Sequence, residues 1–358
     1  MGKRYLVTGG AGFIGSHLVD LLLADPEVEH VTVFDKFTYA GDRRNLLPHW
    51  NNNYAFDSQT ARFRSCFGDV ADATQLLEAI EHCKPDGIFH LAAESHVDRS
   101  ILNPASFILP NILGAVNLLE AARFFKIRTV YVSTDEVMGD SVEQGIFTEE
   151  SEYHTSSPYS WSKAAADQYA TQVLPRTYAD EHVPVMVTRG CNHFGPRQQW
   201  EKFLPRVIMS VLEDESIKLY GNGLQERTWL HVLDGARALQ HVMRHGSIGE
   251  VYLVGPSMIP QTHTNEWLAE TVCNVLGKSV PIEHIRDRPG HDRRYAMSAE
   301  KLMQLGPGWK PRVSLVEGLR ETVRWYQQSE NLEWVRACRR RDKEFAQKNY
   351  AERDAVPR

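Results

Sequence analysis

The glycine run Thr8-Gly9-Gly10-Ala11-Gly12-Phe13-Ile14-Gly15 constrains this chain more than any other segment. It follows the apolar stretch Tyr5-Leu6-Val7 and opens a helical stretch from Ser16 to Leu23. Gly10, Gly12 and Gly15 satisfy G-x-G-x-x-G, and Gly9, Gly12 and Gly15 satisfy G-x-x-G-x-x-G. Side chains there would block a tight turn, the approach of backbone to a pyrophosphate, or close packing of helix on strand. Backbone N–H groups at the helix start then meet the phosphate charge. A second strand, Val31 to Phe34, ends at Asp35, about 20 residues beyond Gly15, where a carboxylate accepts from ribose hydroxyls. An acid at that place repels a 2′-phosphate, so NAD is the expected cofactor; Lys36 and Arg43-Arg44 keep NADP as a lesser alternative. Asp69-Val70 at the end of a third strand and Leu91-Ala92-Ala93 after a fourth are expected along the same cofactor.

Further strands are expected at Gly87 to His90, Thr129 to Ser133 and Val185 to Arg189. Helices at Ala73 to His82, Asn111 to Phe125 and Ser160 to Tyr178 lie between them. Strands alternating with helices predict an α/β fold, a Rossmann-like doubly wound parallel sheet. Beyond Gly190, frequent Pro and Gly punctuate short elements, as in a smaller, mostly C-terminal substrate-binding lobe. The expected division is a NAD-binding domain over 1–190 with 228–250 returning to it, a lobe over 191–227 and 251–330, and a charged tail over 331–358. That tail, with Arg339-Arg340-Arg341, reads as a solvated terminal helix or frayed end.

Composition narrows the partners. Lys+Arg is 40 against Asp+Glu 46, a formal charge of −6, which disfavours nucleic acid. The five cysteines (Cys66, Cys83, Cys191, Cys273 and Cys338) are scattered, with no C-x-x-C pair. They predict neither a disulfide framework nor a metal site, and they fit a reducing, cytoplasmic compartment. The N-terminal apolar run is broken by Gly9 and Gly10, too short for a signal peptide or membrane span.

Two segments carry reacting groups. Ser133-Thr134-Asp135-Glu136 closes a strand at the end of the sheet where ligands bind in open α/β folds. Tyr159-Ser160-Trp161-Ser162-Lys163 places Tyr159 and Lys163 on one helical face, where an ammonium would stabilise a phenolate. Such a phenolate can take a sugar hydroxyl proton while hydride leaves the carbon for NAD. Alcohol oxidation does not need Asp135 and Glu136, whereas elimination of water needs one protonated and one ionised carboxyl. A solvated acidic turn or helix cap is the plain alternative for that pair.

Asp35-Lys36-Phe37-Thr38-Tyr39-Ala40-Gly41, Ala93-Glu94-Ser95-His96-Val97-Asp98-Arg99-Ser100, Ser133 to Val137 and Asp287-Arg288-Pro289-Gly290-His291-Asp292-Arg293-Arg294-Tyr295 resemble the dTDP-glucose 4,6-dehydratases, which are extended short-chain dehydrogenases/reductases. The likeness runs from Tyr5 to about Tyr326. It implies a redox-neutral dehydration: Tyr159, aided by Lys163 and Thr134, acts at O4; Glu136 takes the C5 proton; and Asp135 protonates the leaving 6-hydroxyl. It also implies Gly9, Gly12, Phe13, Ile14, Gly15, Asp35, Lys36, Thr38, Asp69, Val70, Leu91, Ala92 and Ala93, with Tyr159 and Lys163, around NAD. Ser95, His96, Asn192, Glu201, Lys202, Arg227, His291 and Arg293 would hold the nucleotide sugar, and the family suggests a homodimer with a four-helix contact. Met138, Trp161, His193-Phe194, Trp200 and the stretch Val254 to Gln261 depart from the family pattern, which leaves the sugar and base open. A dehydratase or 4-epimerase for a UDP-sugar is the alternative, and a silent NAD-binding sensor a remoter one.

Overall fold

The computed structural model describes residues 2–49, 62–181, 183–342 and 347. Six parallel strands, β1 (Lys3–Thr8), β2 (Val28–Asp35), β3 (Phe63–Phe67), β4 (Gly87–His90), β5 (Arg128–Thr134) and β6 (Val185–Gly190), lie in the order β6-β5-β4-β1-β2-β3. β1 pairs with β2 on one side and β4 on the other, so the order reverses there and opens a crevice beyond the strand ends. Leu6, Val7, Ile88, Phe89 and Val130 are fully buried because helices cover both faces of the sheet.

A seventh strand, Val251–Val254, pairs in parallel with β6. This corrects the expected division: 251–254 belongs to the main sheet, and Tyr252, Leu253 and Val254 share the core of β1 and β2. The helix Val232–His245 packs on Phe13–Ala24, which places 228–250 against the cofactor domain. A second core contains Phe194, Leu204, Ile208, Trp229, Leu268, Val323 and Tyr326.

The helix expected from Asn111 begins at Ala105 and passes through a π-turn, Leu109–Leu113. Pro110 has no N–H to give, and the widened turn lets the helix continue past it. The helix Pro158–Gln168 likewise runs into a π-turn, Tyr169–Val173. By length and apolarity alone Ala105–Phe124 could cross a membrane, but 44% of its window is buried within the fold.

The tail also needs correcting. Residues 329–341 form a helix, Ser329–Arg341, whose Val335 and Cys338 are buried in the second core. Its arginines pair outward, Arg336 with Glu213 and Arg339 with Glu215. Charge on one face thus masks an apolar face on the other. Of the expected tail, 343–346 and 348–358 lie outside the described residues.

Candidate active site

The glycine run forms a cradle that no side chain could enter. Gly9 has φ +71°, and a Cβ there would lie 2.7 Å from the Ala92 nitrogen. At Gly15 a Cβ would lie 2.3 Å from the Gly9 carbonyl oxygen. Gly12 caps the helix Phe13–Ala24 without a side-chain hydrogen bond, leaving its first amides for a ligand. Phe13 stands edge-on to His17, and Ile14 packs into the main core. Leu91 donates its amide to the Thr8 carbonyl at 3.0 Å, bringing Leu91, Ala92 and Ala93 alongside the cradle.

Asp35 accepts the amides of Ala11 and Phe37 at 2.9 and 2.8 Å. Burial pushes its carboxyl up, against those amides. Thr38 accepts the Gly41 amide, closing the turn beside Asp35. Lys36 is taken by Asp69 at 2.5 Å, and Arg44 by Glu330 at 2.9 Å. Lys36 and Arg44 are thus committed elsewhere, and Arg43 lies over the Phe37 ring at 4.9 Å. Val70 is buried against Gly114, where a Cβ would lie 2.5 Å from its methyl group. A closed glycine cradle with an acid at the next strand end fits a dinucleotide without the 2′-phosphate.

At the end of β5 the chain enters a 3-10 turn, Asp135–Met138. Thr134 accepts the Glu136 amide at 3.3 Å, and its hydroxyl donates to Asp135 Oδ1 at 3.3 Å. Asp135 is 2% exposed, and its Oδ2 has no hydrogen-bond partner. Burial, then the Glu136 charge, pushes its carboxyl up to about 8. Burial also raises Glu136, but Arg288, Arg227 and Lys202 face it with opposing charge. Both carboxyls are raised, Asp135 to about 8, and the difference between them is that three cations oppose the rise at Glu136.

Tyr159 stands in the first turn of Pro158–Gln168, which Pro158 and a Ser157–Ser160 capping box begin. Its amide donates to Ser100 Oγ at 3.1 Å. Burial, then the charges of Glu136 and Asp135, push the phenol up; a hydrogen bond with Thr134 opposes them. The Lys163 ammonium is turned elsewhere. It donates to the Val132 carbonyl at 2.8 Å and sits 4.5 Å above the Tyr131 ring. Burial lowers it to about 8. Lys163, one turn beyond Tyr159 on the same helix, thus gives its hydrogen bond to the β5 carbonyl.

On the substrate side, Lys202 donates to the Ser95 carbonyl at 2.5 Å. His96 accepts the Arg99 amide at Nδ1, so Nε2 carries the proton toward the Glu201 carbonyl at 3.3 Å. Burial keeps that ring neutral. Asn192 has a buried Oδ1 without a partner. His291 bonds Asp287 at 2.6 Å, and Arg293 donates to Asn222 at 3.1 Å.

Glu201 and Arg227 both have partners within the protein. Glu201 is buried and gripped by Arg99 at 2.8 Å, so its carboxylate is already matched. Arg227 lies over the Tyr295 ring and donates to the carbonyls of Glu226, Asp292 and Arg293. These bonds brace the 292–294 segment. Of the departures from the family pattern, Trp161 is 51% exposed on an outward helix face, and Met138 is fully buried in the core. His193 is satisfied by the Cys191 carbonyl at 2.8 Å.

Sequence reading missed Arg288, which faces Glu136, and Asn111, whose amide spans Glu94 and Ser162. Arg288 stood within the quoted Asp287–Tyr295 run. Asn111 had no local signal, because the π-turn that aims it is not written in a simple period. Among the described residues, no group of three His, Cys, Asp or Glu could hold a metal.

A family profile described as GDP-mannose 4,6 dehydratase matches residues 6–322. The dTDP-glucose 4,6-dehydratase 1 of Escherichia coli K12 is 40% identical, over 93% of this chain and 94% of its own length. That of Neisseria gonorrhoeae is 39% identical, over 90% and 95%. The Streptomyces venezuelae dTDP-glucose 4,6-dehydratase, solved with NAD and dTDP bound, superposes with a TM-score of 0.84 at 39% identity, covering 94% of this chain and 99% of that one. The UDP-glucose 4-epimerase of Thermus thermophilus, solved with NAD, gives 0.78 at 30% identity, covering 91% and 99%. Likeness to the dehydratases is thus the stronger in both sequence and shape, and this chain belongs to the dTDP-glucose 4,6-dehydratase family.

Proposed function

We propose that this protein uses NAD to convert dTDP-glucose into dTDP-4-keto-6-deoxyglucose and water. The observation that carries this reading is the split pair Asp135–Glu136 at the end of β5, beside Tyr159. A 4-epimerase has no use for that pair, and a silent sensor has no use for Tyr159.

NAD, held by the glycine cradle and Asp35, would supply the sink for the electron pair leaving C4 and the source that returns it to C6. Tyr159 takes the O4 proton as the ketone forms. The ketone acidifies C5–H, and Glu136 removes that proton and later gives it back to C5. Asp135 gives its proton to the departing 6-hydroxyl, which leaves as water. The Thr134 hydroxyl hydrogen-bonds both Tyr159 and Asp135. It offers a path by which the proton gained at the phenol restores the one lost from the acid. Arg293, Lys202 and Asn192 are the groups offered to the sugar diphosphate.

Incubation with dTDP-, UDP- and GDP-glucose tests the reading. A 4-keto product from dTDP-glucose supports it; a galactose form, or turnover of UDP-glucose alone, overturns it. The pH dependence follows from Asp135. Its proton is needed, so kcat falls as pH rises through about 8. Stability has the same sign: the carboxyl is neutral in the fold but ionises in the unfolded chain above its ordinary value of 3.8. Folding is therefore penalised increasingly between there and about 8. In thermal melts, Asp135→Asn is expected to gain a few degrees over the wild type at pH 8 and nothing at pH 4.

The same reading includes a cytoplasmic homodimer. All five cysteines are free, in keeping with a reducing compartment. Ile108, Leu109 and Leu113 on one helix, with Trp161 and Val173 on its neighbour, expose an apolar surface. Two copies meeting there would bury these side chains in a four-helix contact. Leu109→Glu with Leu113→Glu is expected to yield monomers by light scattering; an unchanged dimer would remove this interface.

A further inference from the structure

The C-terminal helix Ser329–Arg341 has no part in the chemistry, yet it reaches both halves of the site. At its first turns, Arg44 donates to the Glu330 carbonyl and to Asn331 Oδ1, both at 3.1 Å. The Trp334 indole donates to Asp42 Oδ2 at 2.8 Å. That loop is fastened to the glycine cradle: the Asp42 amide and the Asn45 side chain donate to the Ala11 carbonyl at 3.1 and 2.9 Å.

Just past the far end, Asp342 Oδ2 accepts the Trp200 indole N–H at 3.0 Å and stands 3.7 Å from Arg99. Trp200 is 3% exposed, so this carboxylate satisfies a donor that water scarcely reaches. Arg99 holds the next residue, Glu201, and Lys202 follows on the Ser95 carbonyl. Gln199, preceding them, donates to the Tyr39 carbonyl. One helix therefore joins the cradle of the cofactor to the segment Trp200–Lys202, with an indole-to-aspartate bond at each end.

We propose that this helix is a strut between cofactor cradle and substrate segment, and that Asp342 is a positioning residue for nucleotide diphosphate binding, acting through Trp200 and Arg99. Asp342 touches no reacting atom. Without it, the buried indole loses its acceptor and Arg99 loses one of two carboxylates, which frees Trp200 to move and takes Lys202 with it. The inference rests on the dehydratase reading for its choice of ligand.

The test uses the full chain, with dTDP as the calorimetric probe and dTDP-glucose as substrate. Asp342→Ala is expected to weaken dTDP binding and raise KM by about tenfold, the scale of one charge-assisted hydrogen bond. The effect on kcat should be much smaller, with co-purified NAD unchanged. Asp342→Asn keeps an acceptor for the indole and should recover most of the loss. In a Trp200→Phe background, Asp342→Ala should cost less than in the wild type, since only the Arg99 contact is then left to lose. Wild-type dTDP affinity in Asp342→Ala overturns the inference alone. So does a joint fall in NAD content, dTDP affinity and melting temperature that Asp342→Asn leaves unrepaired, since that marks general loosening. A wild-type chain that neither binds dTDP nor turns over dTDP-glucose overturns the dehydratase reading and this inference together.

Discussion

Glu136→Gln is expected to lower formation of the 4-keto-6-deoxy sugar by about 10³-fold, within the range for losing a general base. The amide preserves shape and cannot take a C5 proton. Oxidation at C4 does not use this side chain, so mixing the variant with dTDP-glucose should leave a lasting nicotinamide absorbance change that the wild type shows only transiently. The replacement also removes the Glu136 charge, which after burial is the largest cause holding the Tyr159 phenol up. The pH profile of C4 oxidation should therefore shift to lower pH. Full turnover by Glu136→Gln would assign C5 deprotonation to another group.

Gly9→Ala is expected to cost NAD affinity about 100-fold or more, because two penalties coincide. The backbone at φ +71° disfavours any Cβ, and the new atom would sit 2.7 Å from the Ala92 nitrogen and 2.8 Å from its Cα. Backbone cannot step aside as a flexible side chain can, so the strand-end loop Leu91–Ala93 must move away from the cradle. Gly249→Ala is the matched control: its φ is +83°, but nothing lies within 4 Å. The control should lose about 1 kcal/mol of stability from strain and keep its dinucleotide. Equal NAD content in the two variants would show that backbone strain, not the cradle, governs binding.

Local pattern made part of this molecule readable. β4 was expected at Gly87 to His90 and is found there, because a strand buried on both faces must be continuously apolar. The strand Val251–Val254 was missed, since the chain reaches the sheet edge only after a long excursion through the second lobe. The helix expected from Asn111 begins at Ala105, because a π-turn carries it past Pro110. Residue identities at the site were legible, but the directions of their side chains were not. Lys163 is aimed by a β5 carbonyl, Arg227 by three carbonyls, and Glu201 by an arginine about 100 residues away. Likewise, nothing in the arginine-rich end announced that Val335 and Cys338 would be buried.

The edge strand Val251–Val254 has one more consequence. It delivers the chain from rigid sheet directly into the segment 255–261, where Ile259 is 82% exposed and Met258 also faces solvent. The segment is anchored again by the short strand His263–Thr264, paired to Glu226–Arg227. Between these two posts it touches the rest of the fold through Ser257, whose carbonyl accepts the Ala299 amide at 3.0 Å. An exposed stretch held at both ends is where a change of sequence costs the fold least, and the departures from the family pattern over 255–261 fall there.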